Sequence, residues 1–211
     1  MARSTENLIR ELGDGLTPVR RIAAPNRLAL LWLGFSVLIT AGLAIVFDMQ
    51  AAMARLGSAT DMWLAALGSV LTAALAAKAA FELAMPGRPR LWALLPRPAL
   101  LLWIGASGMG CLRTWATAGW DGGVHSECLM SIIGISAPLA VAMVVMLRRA
   151  YPLHPVLTSM LAGLACAAAS ATVLSLFHPG DAATADLAFH ALAVMLVTAV
   201  LTVSGRRLLR R

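Results

Sequence analysis

The residues able to do chemistry are few, and one stretch collects several of them. Between Cys111 and Cys128 the chain reads CLRTWATAGWDGGVHSEC, which holds two cysteines, His125, Asp121 and Glu127. His125 and Cys128 are three positions apart. Together with His178 and His190, further along the chain, they offer the soft and borderline ligands that suit a thiophilic metal. In an oxidising compartment Cys111 and Cys128 can also form a disulfide, although spacing alone does not assign the pair. The plainer alternative is a structural thiol with solvated loop histidines. The third cysteine, Cys166, lies among small residues and reads as a packed thiol. No Gly-rich phosphate loop, HExxH pair or nucleophile elbow occurs. No catalytic residues and no cofactor are therefore expected, apart from a thiophilic metal on these ligands.

What positions these groups is a membrane. Of 211 residues, 60% are hydrophobic and 13% charged, with a mean hydropathy of +0.81, too little polar surface for a water-soluble domain. The net charge of +7 is spread over clusters between apolar runs rather than along one stripe, so it points to membrane loops and not to direct nucleic-acid binding. Six apolar runs, at about 28–47, 62–84, 99–115, 129–147, 156–177 and 187–204, each approach the roughly 20 residues a helix needs to cross a bilayer. The first is too long, and its leader too extended, for a cleaved signal peptide, despite the small residues around Met53. The expected architecture is an all-α integral membrane bundle of six transmembrane helices.

Arginine placement orients the bundle. Fourteen of the seventeen basic residues fall in the amino-terminal segment, in the loops after the second and fourth runs, and in the tail. The opposite loops hold only Arg55, and there lie Asp48, Asp61, Asp121, Glu127, Asp181 and Asp186. The positive-inside rule then puts both termini in the cytoplasm and the Cys111–Cys128 loop outside. Six of the ten prolines interrupt the two inner loops. Three parts follow: a cytoplasmic segment 1–27, a transmembrane domain 28–204 and a basic tail 205–211.

Within the runs, ionisable groups are limited to Lys78, Glu82, Arg113 and His190. Lys78 and Glu82 are spaced to pair on one helix face, and none of the four sits where an ion-coupled transporter would hold its substrate. The fifth run places Ser159, Gly163, Ala167, Ala171 and Ser175 four apart, a stripe that lets another helix approach closely and puts this run inside the bundle. In the amino-terminal segment, Leu8, Ile9, Leu12 and Leu16 share one helical face, opposite Glu6, Arg10, Glu11 and Asp14, with the basic pair Arg20 and Arg21 beyond. Such a helix either lies on the membrane surface or orders against a partner.

Four segments carry a resemblance: ENLIRELGDGLTPVRRIAAP at the amino terminus, PGRPRLWALLPRPALLLW in the first inner loop, Cys128 at the head of the fourth run, and FHPGDAATADLAFH after the fifth. In that order they resemble the NrsF family over nearly the whole chain. The resemblance implies a six-span anti-sigma factor of the bacterial inner (cytoplasmic) membrane, a negative regulator of an extracytoplasmic-function (ECF) sigma factor. Its partner-binding residues would be Leu8, Ile9, Leu12, Leu16, Arg20 and Arg21. It further implies release of the sigma factor on a periplasmic metal or redox stress, sensed by Cys128. The family's second cysteine precedes the proline of the last outer loop, where this chain has His178 before Pro179. That departure leaves Cys111, or His178, His125 and His190, to assist Cys128. Besides the sigma factor, only membrane lipids are expected as partners, and no small-molecule substrate. The alternatives are a small six-span transporter or channel subunit, which would need a polar path through the bundle, and a scaffold subunit of a larger membrane complex.

Overall fold

A computed structural model of the chain describes residues 4–14, 16, 23–45, 50, 53–54, 60–118, 126–150, 152–177 and 184–209. Among them are seven α-helices of ten residues or longer, and no strand. They are α1 (Thr5–Asp14), α2 (Pro25–Ala44), α3 (Thr60–Leu83), α4 (Arg97–Ala118), α5 (Ser126–Arg148), α6 (Pro155–Phe177) and α7 (Thr184–Leu208), with a 3-10 turn at Arg90–Leu94. Prolines open several of them, because a fixed φ suits the first turn and the missing N–H would have no partner there. Pro25 begins α2 and Pro155 begins α6. Helix α3 ends in a turn where Gly87 adopts a φ of 78°, a left-handed conformation that side chains resist.

Five helices are long and apolar enough to cross a membrane: Pro25–Ala44, Thr60–Leu83, the stretch Arg90–Thr117, Met130–Arg148 and Pro155–Phe177. The sixth apolar run lies in the 25-residue α7, whose described apolar stretch is Ala191–Gly205. Each of these helices starts two or three residues earlier than the hydropathy alone suggests, except α6, which starts one residue earlier.

Helix α6 is the axis. It is the most deeply buried of the apolar helices, and it packs extensively on α3 and α7 and further on α5. Its sequence explains this, since Gly163, Ala167 and Ala171 present almost no side chain and so let neighbouring backbones close in. A methyl group on Gly163 would lie 2.7 Å from Thr198 Cα of α7. On the same face, a methyl on Gly205 of α7 would collide with the Ser159 hydroxyl. Between α3 and α4, Gly68 makes an equally close approach, to the Trp103 backbone. Hydroxyls complete the joints. Ser69 and Thr172 share a 2.8 Å hydrogen bond between α3 and α6, and Ser136 and Ser170 share one of 2.8 Å between α5 and α6. The buried Trp32 of α2 donates its indole N–H to the Leu139 carbonyl of α5 at 3.1 Å. Outward faces carry Leu38, Leu101, Val141 and Val203, an apolar exterior that suits lipid rather than water.

Two glycine substitutions separate packing from propensity. Gly163→Ala must push α7 away and is expected to destabilise the bundle by about 1–3 kcal/mol. Gly105→Ala, where nothing lies within 4 Å of the new methyl, should be neutral or stabilising by up to about 1 kcal/mol. Thermal unfolding of both variants in the same detergent checks the pair, and equal effects would contradict the close-packed joint.

Candidate functional site

Helix α1 stands apart from the bundle: none of its residues is buried. Leu8, Ile9, Leu12 and the adjoining Leu16 are 44%, 65%, 63% and 79% exposed. Its first N–H groups are taken up by the Ser4 carbonyl, which accepts from Asn7 at 3.0 Å and Leu8 at 3.2 Å. An apolar row facing outward on a helix too short to be stable alone is the arrangement of a segment that lies on a membrane surface or orders against a partner. Arg20 and Arg21 lie outside the described residues.

Where α2 begins, a polar node joins four parts of the chain. The Lys78 ammonium of α3 donates to Asn26 Oδ1 at the start of α2 and to Glu82 Oε1 one turn along α3. It also stands 5.1 Å from the ring centroid of Trp92 in the 3-10 turn, within cation–π range. Arg88, from the turn after α3, brings its Nε to 3.1 Å from Glu82 Oε2. That contact is ionic rather than an aligned hydrogen bond, because the same oxygen has no hydrogen-bond partner. The carboxylate is 5% exposed, and two cations meet it. The sequence shows the Lys78–Glu82 spacing but gives no sign of Asn26, Arg88 or Trp92, which reach the node across turns.

The opposite end of α3 meets the stretch of α4 that carries Cys111. Arg113 of α4 bonds Asp61 of α3 at 3.0 Å, and Asp61 lies over Gly110, where a methyl group would be 2.7 Å from its Oδ2. Cys111 follows directly, half-buried and with a free thiol. The Asp61–Arg113 pair was missed by sequence reasoning, although opposite charges at the facing ends of two consecutive runs offer that signal. Cys128 lies in the first turn of α5 and His190 in α7, both on backbone that is described without their side chains. His125 and His178 lie outside the described residues. Of the five sensing candidates, the structure describes the side chain of Cys111 alone. Among the described residues no group of three metal-ligating side chains occurs. Cys166 is fully buried in α6 as a packed thiol.

Among the described residues, five helices long and apolar enough to cross a membrane, an uncovered amphipathic helix and a charged node where α2 begins are the features of an all-helical membrane protein. A family model described as NrsF, negative regulator of sigma F, matches residues 12–210. The chain belongs to the NrsF family, and the regulated partner that the family name gives is a sigma factor. No curated protein and no solved structure matches the chain.

The node yields a direct test. Lys78→Met strips the buried Glu82 carboxylate of its nearest cation and is expected to cost about 3 kcal/mol, whereas Lys78→Met with Glu82→Gln removes both charges and should recover most of that loss. Unfolding temperatures in detergent measure both. Equal stability of the single variant and the parent would show that Arg88 alone satisfies the carboxylate.

Proposed function

We propose that this chain is an anti-sigma factor of the bacterial inner membrane, with six spans and both termini in the cytoplasm, which sequesters an ECF sigma factor through residues 1–27. The observation that carries the reading is the exposed Leu8, Ile9, Leu12 and Leu16 row on a helix outside the bundle, in a chain whose family is named for regulating a sigma factor. An amphipathic helix lays such a row in a groove, and Arg20 and Arg21 extend the contact toward an acidic rim. Sequestration needs no catalysis, since covering the polymerase-binding surface of the sigma factor is enough. The arginine asymmetry supports the topology, and Lys78 and Arg88 at the node lie on its cytoplasmic side.

Release begins at the other end. Cys128, assisted by Cys111 or by His178, His125 and His190, takes a thiophilic metal or an oxidant. The outer ends of spans are thereby drawn together and the helices that lead to the inner face are shifted.

Changing both Leu8 and Leu12 to Asp places charge in an apolar groove and should weaken sigma binding by about 2 kcal/mol or more, roughly 30-fold. Transcription from the sigma factor's promoters should then rise without inducer. A chain that inserts normally yet still represses would remove α1 from the inhibitory surface.

The sensing half is tested separately. Cys128→Ser should abolish induction by cadmium, dichromate and a thiol oxidant while basal repression persists, and Cys166→Ser, in the packed α6 face, should change induction little. On spheroplasts, a membrane-impermeant maleimide should label the Cys166→Ser chain and not one lacking Cys111 and Cys128. Unaltered induction in Cys128→Ser under all three stresses would reduce the outer loop to a connector.

A further inference from the structure

Two apolar surfaces are uncovered on the arginine-rich side of this chain. One is the α1 row. The other is a shallow depression of about 490 Å³ in the turn between α3 and α4, lined by Pro89, Leu91, Trp92, Leu94, Leu95 and Pro98. Leu91 is 70% and Leu94 41% exposed.

Their charges are complementary. Arg88, Arg90 and Arg97 border the depression, all exposed. Arg88 leans on Glu82, and Arg90 donates to the His154 ring at 3.4 Å, so among the described residues Glu82 is the one acid meeting this rim. Helix α1 carries Glu6, Glu11 and Asp14 against the single Arg10. Opposite charge around two apolar patches fixes both attraction and orientation.

Their distance is also set. Asn26, at the start of α2, is held by the Lys78 ammonium, and that same ammonium stands over Trp92 in the lining of the depression. The root of the amino-terminal segment is therefore anchored beside the seat. Residues 15–24 join α1 to α2. Ten residues span up to about 33 Å when extended, ample reach for α1 to fold back over the depression. A tether this short raises the effective concentration to about the millimolar range, so even a weak seat is occupied.

We propose that α1, which stands undocked in the structure, exchanges with a second state when no sigma factor holds it. In that state its Leu8, Ile9 and Leu12 face docks into the Pro89–Pro98 depression of its own chain, with its carboxylates against the surrounding arginines. The inner loop is then an intramolecular competitor for the partner-binding helix. Docking itself is independent of the sigma reading, and only the competition rests on it. Because the seat joins α3 to α4, whose far ends carry Asp61, Arg113 and Cys111, any movement there changes how well the seat competes.

The test places a photo-reactive benzoylphenylalanine at Leu94 in the full chain, reconstituted without any partner in phosphatidylethanolamine–phosphatidylglycerol vesicles. Irradiation should give an intramolecular adduct to residues 5–16, and Leu8→Asp with Leu12→Asp should lower its yield roughly fivefold or more. Adducts confined to lipid, to a second copy or to the loop's own neighbours would overturn the docking. In cells, Leu91→Asp with Leu94→Asp, both at exposed positions, should deepen repression roughly threefold to tenfold by freeing α1 for its partner. Unchanged or weaker repression would overturn the competition. An intact adduct together with a Leu8/Leu12 variant that still represses would instead reject the sigma-binding reading and leave the docking standing.

Discussion

Within lipid, apolar side chains gain nothing by leaving one hydrocarbon for another, so helices associate where their backbones come close enough for dispersion and hydrogen bonds to act. Everything in this bundle depends on α6 meeting that condition. With Gly163 against Thr198 and Ser159 against Gly205, α7 lies on α6 at a separation no larger residue permits. Helix α3 closes on another side through Ser69 and Thr172, and α5 through Ser136 and Ser170. Helices α2 and α4 then attach to this centre. Trp32 fastens α2 to the Leu139 carbonyl, and Gly68 lets α4 lie against α3.

The hydroxyls in the spans have a corresponding role. Thr72 donates to the Gly68 carbonyl, Ser170 to Cys166, Thr172 to Ala168 and Thr202 to Thr198. Those bonds return to the helix's own backbone, and the interhelical ones join α6 to α3 and α5. The interhelical pairs hold helices together, whereas the others satisfy a hydroxyl within its own helix.

Much of this was legible in the sequence because the bilayer imposes long, simple patterns. Six apolar runs mark helices α2 to α7 to within a few residues, and the four-residue repeat from Ser159 marks α6 as the inner helix. The amphipathic face of α1 was equally plain, since Leu8, Ile9 and Leu12 recur at helical spacing. What the sequence withheld are contacts that depend on where turns place side chains. Lys78 and Glu82 announce a pair, but Asn26 is 52 positions from Lys78, and Arg88 and Trp92 reach the node only because Gly87 reverses the chain. Cys111 and the cluster of Cys128 with three histidines looked like one site from their residue types. Of that set the structure places the Cys111 side chain alone, next to an ion pair that no spacing rule connects to it.

The node at the base of α2 shows how a buried carboxylate is accommodated at that end of α3. Burying a carboxylate costs several kcal/mol unless cations and hydrogen-bond donors meet it, and Glu82 has Lys78 and Arg88 for that purpose. The same Lys78 then holds Asn26 and covers Trp92, so one buried acid fixes the root of the amino-terminal segment and the face of the inner turn together. Had those two been held by separate contacts, a shift in α3 would reach one without the other. Because both meet on Lys78, a displacement of α3 along its axis must move the tether and the turn as a unit. Helix α3 is also the helix whose far end carries Asp61, bonded to Arg113 of α4. Helix α3, of 24 residues, therefore has a polar clamp at each end, with the Gly68 and Ser69 joints to α4 and α6 between them.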